Sequence, residues 1–369
     1  MENRLFVFSP CGTSLLTNQA AQEERALVTK YANAKHIEEI PPEDSLKLRS
    51  LAKRVEEKLA SADLELAGKM SAELNGIIKL YNGKLEKKAD IHYLLCTDTW
   101  LGEQTATLVE QWLREKGFIV DKNRQKDLQT KDIESFQVAL SDIVEFFEKT
   151  IPGYRDSQHK IIFNLTGGFK SVQGFLQTLA TFYADETIYI FETAKDLLCI
   201  PRLPVKMVVE DSVRDHLQVF RRLANEMKTA DVSGVPETLL MRIGDEVSLS
   251  PWGDLVWGRT KKEIYGERLH PSPSEKVSYG PKFENSLRGI SADRLVLINE
   301  RIDQLAKNLE SGGEYNVSSL DLKALKGNLR PPSTHEIDAW SDQDAKRIFG
   351  HFESGNHFVL DKLDSGLHV

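Results

Sequence analysis

Short apolar runs alternate with amphipathic helical patterns over the first half of the chain. The runs have the length of strands and lie at residues 5–9, 91–96, 118–120, 161–163 and 187–191. Between them, apolar residues recur at helical spacing, as at Leu48, Leu51 and Val55. Strands that alternate with helices in this way predict an α/β fold with a parallel, doubly wound sheet.

The pattern changes after Pro201 and Pro204. Residues 208–227 predict one amphipathic helix, and a hairpin-like segment at 236–250 precedes a tryptophan-rich stretch, which together indicate a winged helix-turn-helix. Residues 270–281 have the composition of a linker. Beyond them, a helical pair over 281–309 precedes short strands at 334–340, 345–352 and 356–363, which is typical of an α+β domain. The expected parts are residues 1–204, 205–270 and 281–369.

Residues 161–174, with the sequence IIFNLTGGFKSVQG, combine an apolar strand, a turn with two glycines and an amphipathic helix. Such a turn directs backbone N–H groups and a helix N-terminus toward an anion. Lys170 lies where a phosphate would bind. A glycine at this kind of turn can also serve packing alone. The stretch lacks the G-x-x-x-x-G-K-[ST] spacing, which argues against an ordinary ATP-binding P-loop.

Two other polar turns follow predicted strands. Gly12, Thr13 and Ser14 follow the first strand, and the segment 97–99 (TDT) follows the second. The carboxyl ends of parallel strands share one edge of a sheet, where ligands bind in folds of this class. The three turns together therefore predict a ligand site at that edge.

Composition narrows the classes of function. The chain is 40% hydrophobic and 28% charged, and it has no apolar run long enough to span a membrane. Three widely spaced cysteines favour a reducing cytoplasm over a disulfide framework or a metal site. The formal net charge of −8 argues against indiscriminate nucleic-acid binding. We expect a cytoplasmic protein with no membrane partner.

Residues 1–204 resemble the CARF domain of the ancillary proteins of type III CRISPR systems. The resemblance rests on GTSLLTN at 12–18, SAELN at 71–75, the TDT turn and NLTGGFK at 164–170. It implies a homodimeric Rossmann-like sensor whose ligand, a cyclic oligoadenylate, lies across the two-fold axis. Cyclic tetra-adenylate is the favoured ring, as an allosteric activator, and no cofactor is implied.

The resemblance also implies which residues bind the ligand. They are Gly12, Thr13, Ser14, Asn18, Thr97, Asp98, Thr99, Asn164, Thr166, Gly167, Gly168, Phe169, Lys170 and Ser171. Some CARF domains cleave their activator slowly, with the ribose 2′-OH as nucleophile, and Ser14 and Lys170 match the positions used. A lysine there would stabilise the phosphorane charge without a metal. The other interpretation is that Lys170 only binds phosphate.

Residues 281–369 resemble the RelE/HigB family of mRNA interferases. The matching features are two helices followed by a meander, an FxxSLxxL-like start, Leu-Lys-Gly before the first strand, and an apolar final strand. The family cuts ribosome-bound mRNA in the A site by attack of a 2′-OH on the adjacent phosphate. Arg347 matches its strand arginine. Together the segments resemble the CARF–RelE fusions known as CRISPR-associated mRNA interferases.

The other catalytic candidates follow from residue type. Lys323, Lys326 and Arg330 are candidates to hold the RNA backbone, and His335 and His351 are candidate acid/base groups. Many relatives have lysines where this chain has Glu336 and Asp338, and Glu336 is itself a candidate base. From Lys276 onward, the chain has twelve Lys and Arg residues and fourteen Asp and Glu residues. This charge balance gives weak long-range attraction for RNA. Either the catalytic set is rearranged, or ribosome binding also uses protein contacts.

The sequence therefore predicts a cyclic oligoadenylate-activated, ribosome-dependent endoribonuclease of type III CRISPR antiviral defence, with slow cleavage of its own activator as an additional activity. Two alternatives stay open. One is a ligand-responsive transcription regulator in which the winged helix binds DNA. The other is a ring nuclease that only degrades the activator.

Overall fold

The computed structural model describes residues 4–85, 89–190, 196–203, 210–229, 231–244, 246–325, 331–342, 344–354 and 356–365. The chain divides into two compact units, Met1–Lys206 and Met207–Val369, called unit 1 and unit 2 below. Both units combine helices with β-sheet, so the predicted mixed α/β class is confirmed. None of the helices in the described ranges has the length and apolar character needed to cross a membrane.

Unit 1 is built on a six-stranded sheet with the order β3-β2-β1-β4-β5-β6. The strands are β1 (Arg4–Cys11), β2 (Ile91–Cys96), β3 (Ile119–Arg124), β4 (His159–Asn164), β5 (Glu186–Tyr189) and β6 (Leu198–Pro201). The first five are parallel, as predicted, and β6 runs antiparallel to β5. Strand β6 was not predicted, because all four of its residues are exposed and carry no buried face.

Eight α-helices accompany this sheet in the described part of unit 1. They are α1 (Ser14–Thr17), α2 (Gln22–Lys30), α3 (Pro42–Ala60), α4 (Leu64–Met70), α5 (Ala72–Leu80), α6 (Trp100–Glu115), α7 (Ile133–Asp156) and α8 (Lys170–Tyr183). The strand order reverses between β1 and β4, which are adjacent. Open parallel sheets bind ligands at such a reversal, outside the carboxyl ends of the strands.

Aromatic packing fixes α7 against the two central strands. The ring of Phe8 on β1 lies 5.0 Å from that of Phe147 on α7 and 4.8 Å from that of Phe163 on β4. All three side chains are fully buried. Aromatic pairs at such distances add about 0.5–1.5 kcal/mol each beyond the area that they bury. Strands β1 and β4, which lead to this edge, are therefore packed against α7 through a buried aromatic cluster.

Unit 2 holds a five-stranded sheet with the order β10-β11-β12-β13-β9 and a separate hairpin of β7 and β8. Its strands are β7 (Leu240–Ile243), β8 (Glu246–Leu249), β9 (Val277–Tyr279), β10 (Lys323–Ala324), β11 (His335–Trp340), β12 (Lys346–Glu353) and β13 (His357–Ser365). Its helices are α9 (Glu210–Asp215), α10 (Leu217–Ala224), α11 (Pro251–Glu267), α12 (Pro281–Ser286) and α13 (Ala292–Glu310).

Two predictions for unit 2 are wrong in detail. The single helix expected over 208–227 is two helices, α9 and α10, with His216 between them. The segment 270–281, expected to be a linker, contributes strand β9, which pairs in parallel with β13. Val277 of β9 is buried. Three residues among prolines and serines are too few to produce a recognisable strand pattern.

A buried ion pair joins three helices of unit 2. Arg221 on α10 hydrogen-bonds through Nε to Oδ1 of Asp303 on α13 at 2.8 Å, and Tyr265 on α11 donates its hydroxyl to the same carboxylate. Arg221 and Asp303 are almost completely buried. Loss of one partner of such a pair costs about 3–5 kcal/mol, because the other charge is left uncompensated. Helices α10, α11 and α13 are thereby tied together.

In unit 1, His92 on β2 is a buried histidine held in its neutral form. Tyr81 donates its hydroxyl to Asp90 at 3.0 Å, so His92 Nε2, 3.2 Å from that hydroxyl, is the donor to it. The other ring nitrogen is buried and has no hydrogen-bond partner among the described residues. Burial lowers the pKa of His92 to about 3.

We predict a pH-dependent stability of unit 1 that His92 controls. Below the ordinary histidine pKa of about 6.5 the unfolded chain takes up a proton that folded His92 refuses, so stability falls as the pH drops toward 3. The slope is up to about 1.4 kcal/mol per pH unit. Urea unfolding of the full chain at pH 7.5 to 4.5, followed by hydrogen exchange in β2 peptides, should show a shallower slope for His92→Gln than for wild type. The exposed His36→Gln control should keep the wild-type slope; equal slopes for all three proteins would contradict the prediction.

Candidate functional site

Two glycine turns meet at the edge of the unit 1 sheet where β1 and β4 end. Gly12 follows β1, and Gly167 and Gly168 follow β4. A Cβ on Gly12 would lie 2.6 Å from the carbonyl oxygen of Gly168, so the two backbones are in contact. Gly168 has φ +100°, a conformation that favours glycine. The structure thus brings together the turns that the sequence places after the first and fourth of these strands.

The carboxylate of Glu73, on α5, fills the space between these turns. Its Oε1 accepts the backbone N–H groups of Gly12 at 2.9 Å and Gly168 at 3.0 Å. Its Oε2 accepts the hydroxyls of Ser14 at 2.8 Å and Ser71 at 2.7 Å. The side chain is fully buried, and four donors compensate its charge. The Glu73 carboxylate is therefore already hydrogen-bonded to backbone N–H groups that the sequence suggested would bind a ligand.

Sequence reasoning missed Glu73, although it belongs to the SAELN segment. Its main partners lie 61 and 95 residues away, so no local spacing predicts the contacts. A Cβ on Gly167 would lie 2.3 Å from Oε1 of Glu73. The glycine at that position is therefore explained by the buried carboxylate.

Asn164, at the end of β4, holds α5 against the sheet. Its Nδ2 donates to the carbonyl oxygen of Glu73 at 3.0 Å and to Oγ of Ser9 at 3.3 Å. A Cβ on Gly76 of α5 would lie 2.2 Å from Oδ1 of Asn164, so only a glycine lets the helix approach this closely. Asn164 is fully buried and supports the turn from beneath.

The side chains of the turn that follows β2 form ion pairs and hydrogen bonds with nearby residues. Asp98 lies 2.9 Å from Lys35 Nζ and 2.9 Å from Arg124 Nε, and it accepts the N–H of Asp127 at 3.1 Å. Burial raises the pKa of Asp98, but these hydrogen bonds outweigh that effect and lower it. Thr99 caps α6 by accepting the N–H of Gly102, and its hydroxyl lies 2.8 Å from that of Thr97. Strand β2 lies beside β1 on the side away from β4.

The remaining candidates near the β1–β4 edge differ in exposure, and the Thr166 hydroxyl oxygen is buried with no hydrogen-bond partner among the described residues. Asn18, Lys170 and Ser171 are exposed, whereas Thr13, Thr166 and Phe169 are half-buried. Lys170 and Ser171 are the first two residues of α8, whose N-terminal dipole favours an anion. Asn18 donates to the carbonyl oxygen of Met70 at 3.2 Å. Lys170 thus places an exposed positive group at the N-terminus of α8.

Charged side chains form a second candidate site on the sheet of unit 2. Arg347 on β12 pairs across the strands with Asp338 on β11 and hydrogen-bonds to its carboxylate. The Arg347 guanidinium also lies 3.6 Å from Glu336 and 3.6 Å from Asp321. Lys323 on β10 hydrogen-bonds to Asp321, which lowers the pKa of that carboxyl. Two cations and three carboxylates thus share one face of the sheet.

Glu336 occupies the buried side of this cluster. Its Oε1 lies 3.6 Å from the Arg347 guanidinium and 3.9 Å from the Lys323 ammonium. Its Oε2 is buried and has no hydrogen-bond partner among the described residues. Arg347 itself is 27% exposed. Glu336 therefore places one carboxylate oxygen beside two positive charges and buries the other.

The two histidines lie outside the charged cluster. His351, four positions beyond Arg347 on β12, has Nδ1 3.0 Å from Asp361, which also accepts the Ser333 hydroxyl at 2.7 Å. The His335 ring packs on Phe352 at 4.9 Å, and burial lowers its pKa. Lys326 and Arg330 fall outside the described residues.

Residues 68–203 match the model of a family described as a CRISPR-associated protein (Cas_APE2256). The matched segment is just over a third of the chain and includes Glu73, the TDT turn and the β4–α8 turn, but not Gly12 or Ser14. No curated protein matches the chain. The match associates this part of unit 1 with CRISPR systems.

We predict that the contact between the two glycine turns limits the stability of the β1–β4 edge. Gly12→Ala should destabilise unit 1 by about 1–3 kcal/mol, because its Cβ would overlap the Gly168 carbonyl. A Cβ on Gly174, within α8, meets nothing within 4 Å, so Gly174→Ala should be neutral or stabilising by up to about 1 kcal/mol. Hydrogen exchange of β1 and β4 peptides in urea measures both effects. Similar protection in the two variants would show that the turns do not constrain each other.

Proposed function

We propose that the chain is an endoribonuclease activated by a cyclic oligoadenylate, and that it cleaves mRNA in the ribosomal A site as part of type III CRISPR defence. The sensor half of this proposal rests on the close backbone contact between the two glycine turns at the β1–β4 edge. The CRISPR-associated family match, which includes the β4–α8 turn, supports it. The resemblance of residues 281–369 to the RelE/HigB family supports the effector half.

The ligand would be bound by the exposed candidates near the β1–β4 edge rather than by the amides that Glu73 already occupies. Lys170 and the N-terminus of α8 offer positive charge to a phosphate. A ring of repeated nucleotides suits a homodimer, because each protomer would supply one copy of every contact. Cyclic tetra-adenylate is the proposed ring. It would activate by binding one arrangement of the dimer more tightly than another.

In the effector half, Arg347 and Lys323 would stabilise the charge of the reacting phosphate. The 2′-oxygen of the RNA attacks the adjacent phosphorus and loses its proton, and the bond to the 5′-oxygen breaks. The products are a 2′,3′-cyclic phosphate and a 5′-hydroxyl, whose oxygen takes up a proton as it leaves. Glu336, whose Oε1 lies 3.6 Å from the Arg347 guanidinium, would take the proton of the 2′-hydroxyl through that oxygen. A phosphate must displace Asp338 from Arg347 to engage the guanidinium.

His351 is the second candidate for proton transfer. When its Nδ1–H donates to Asp361, the neutral ring presents Nε2 as an acceptor, which is the form of a general base. Four residues along a strand separate it from Arg347, a distance of about 13 Å. Proximity to Arg347 therefore favours Glu336 over His351 as the base.

Cleavage of the activator is the second candidate function. It is favoured by Lys170, exposed at the start of α8, and by Ser14 at the neighbouring turn. In this function the ribose 2′-oxygen would attack the adjacent ring phosphate, the bond to the 5′-oxygen would break to leave a 2′,3′-cyclic phosphate and a protonated 5′-hydroxyl, and Lys170 would stabilise the developing charge. Cleavage would remove the activator and so return the ribonuclease to its inactive state.

We predict ligand-dependent mRNA cleavage on programmed ribosomes. Wild type should cut in the A site only when cyclic tetra-adenylate is present. Arg347→Ala should lower the rate by at least about a hundredfold, as expected for loss of a group that stabilises transition-state charge. Glu336→Gln should lower it by about 10²–10⁴-fold, as expected for loss of a general base, and His351→Gln should have a smaller effect. The exposed Arg288→Ala variant removes a positive charge elsewhere in unit 2 and should retain activity.

Toeprinting locates the cut sites, and rates measured under single-turnover conditions compare wild type with each variant. Equal rates for wild type and Arg347→Ala would contradict the effector assignment. Degradation of cyclic tetra-adenylate that depends on Lys170, without mRNA cleavage, would establish the ring nuclease instead. Ligand-dependent binding to a DNA operator without either cleavage would establish the transcription regulator.

A further inference from the structure

The hydroxyl of Ser14 has a defined polarity. Its Oγ accepts the backbone N–H of Ala72 at 3.3 Å and donates its proton to Oε2 of Glu73 at 2.8 Å. An ionised carboxylate only accepts hydrogen bonds, so the Ser14 proton must point toward Glu73. A hydroxyl has one proton and two lone pairs. The remaining bonding capacity of Ser14 is therefore one lone pair.

Four hydrogen bonds hold the Glu73 carboxylate in place, so it remains the acceptor of the Ser14 proton. The same carboxylate also accepts Gly12 N–H, Gly168 N–H and the Ser71 hydroxyl, and it is fully buried. Ser14 is only half-buried, at the turn after β1. Its free lone pair is thus a fixed acceptor at the rim of the candidate ligand site.

We propose that Glu73 is a positioning residue of this site: by holding the Ser14 proton, it makes the Ser14 hydroxyl an acceptor for a hydrogen-bond donor of the ligand. The inference rests on the proposed function and concerns the same site. In a cyclic oligoadenylate the available donors are the ribose 2′-hydroxyl and the 6-amino group of adenine. The two sources share this chemistry and are separated by the experiment below.

The first test measures the affinity of the full chain for three rings by isothermal titration calorimetry. They are cyclic tetra-adenylate, its 2′-deoxy analogue, and a ring of purine riboside, which lacks the 6-amino group. Wild type should bind one of the two analogues at least about fivefold more weakly than the natural ring, as expected for one lost hydrogen bond. Ser14→Ala should bind that analogue and the natural ring with similar affinity. The exposed Ser61→Ala control should discriminate like wild type.

The second test reverses the polarity of Ser14 without changing the shape of residue 73. In Glu73→Gln the side-chain amide can donate to Ser14, so the Ser14 proton is free to point toward the ligand. If the 2′-hydroxyl is the donor, the preference of this variant for the natural ring over a 2′-fluoro ring should fall at least about fivefold from the wild-type value. If the 6-amino group is the donor, its preference over the purine riboside ring should fall instead. A role confined to folding would weaken all rings equally and leave these ratios unchanged.

Ser14→Ala keeps the inference testable if Glu73→Gln does not fold. Failure of wild type to bind any ring would refute the proposed function and the inference with it. Tight binding of the natural ring, with the same discrimination in wild type and Ser14→Ala, would overturn the inference alone.

Discussion

The buried carboxylate of Glu73 joins α5 to both turns at the β1–β4 edge of the unit 1 sheet, where the candidate ligand site lies. It accepts backbone N–H groups from the turns after β1 and β4, and hydroxyls from Ser14 and Ser71. Without these donors a buried charge would be very unfavourable, and without the charge two backbone amides would lack an acceptor. The glycines at 12, 167 and 168 leave the room that this arrangement needs. The position of the two turns and the direction of the Ser14 proton at this edge thus both depend on Glu73.

Electrostatic compensation also governs unit 2, with a different consequence. Arg347 and Lys323 are surrounded by the carboxylates of Asp321, Glu336 and Asp338, so the cluster carries more negative than positive groups. Such a face has little long-range attraction for RNA. A substrate delivered in a fixed position, as on a ribosome, does not depend on that attraction. The acidic composition and the proposed ribosome dependence are therefore compatible.

Hydrophobic patterning predicted most of the strands, because alternation and apolar runs are local properties. Strands β11, β12 and β13 lie close to the predicted segments 334–340, 345–352 and 356–363. The glycine turns were also recognisable from local sequence. Glu73 was not, because its partners come from distant segments. Strands β6 and β9 were not, because the four residues of β6 are exposed and the three residues of β9 are too few to show a periodicity. The contact of Arg347 with Glu336 depends on strand register, which the sequence does not specify.

The most direct test of the whole account is whether ligand occupancy and RNA cleavage respond together. Cyclic tetra-adenylate would be titrated into the full chain on programmed ribosomes, with occupancy measured from a fluorescent ring and cleavage from the same samples. If ligand binding activates cleavage, the two curves share one midpoint and Lys170→Ala shifts both by the same factor. Saturated binding with an unchanged rate of mRNA cleavage would contradict it.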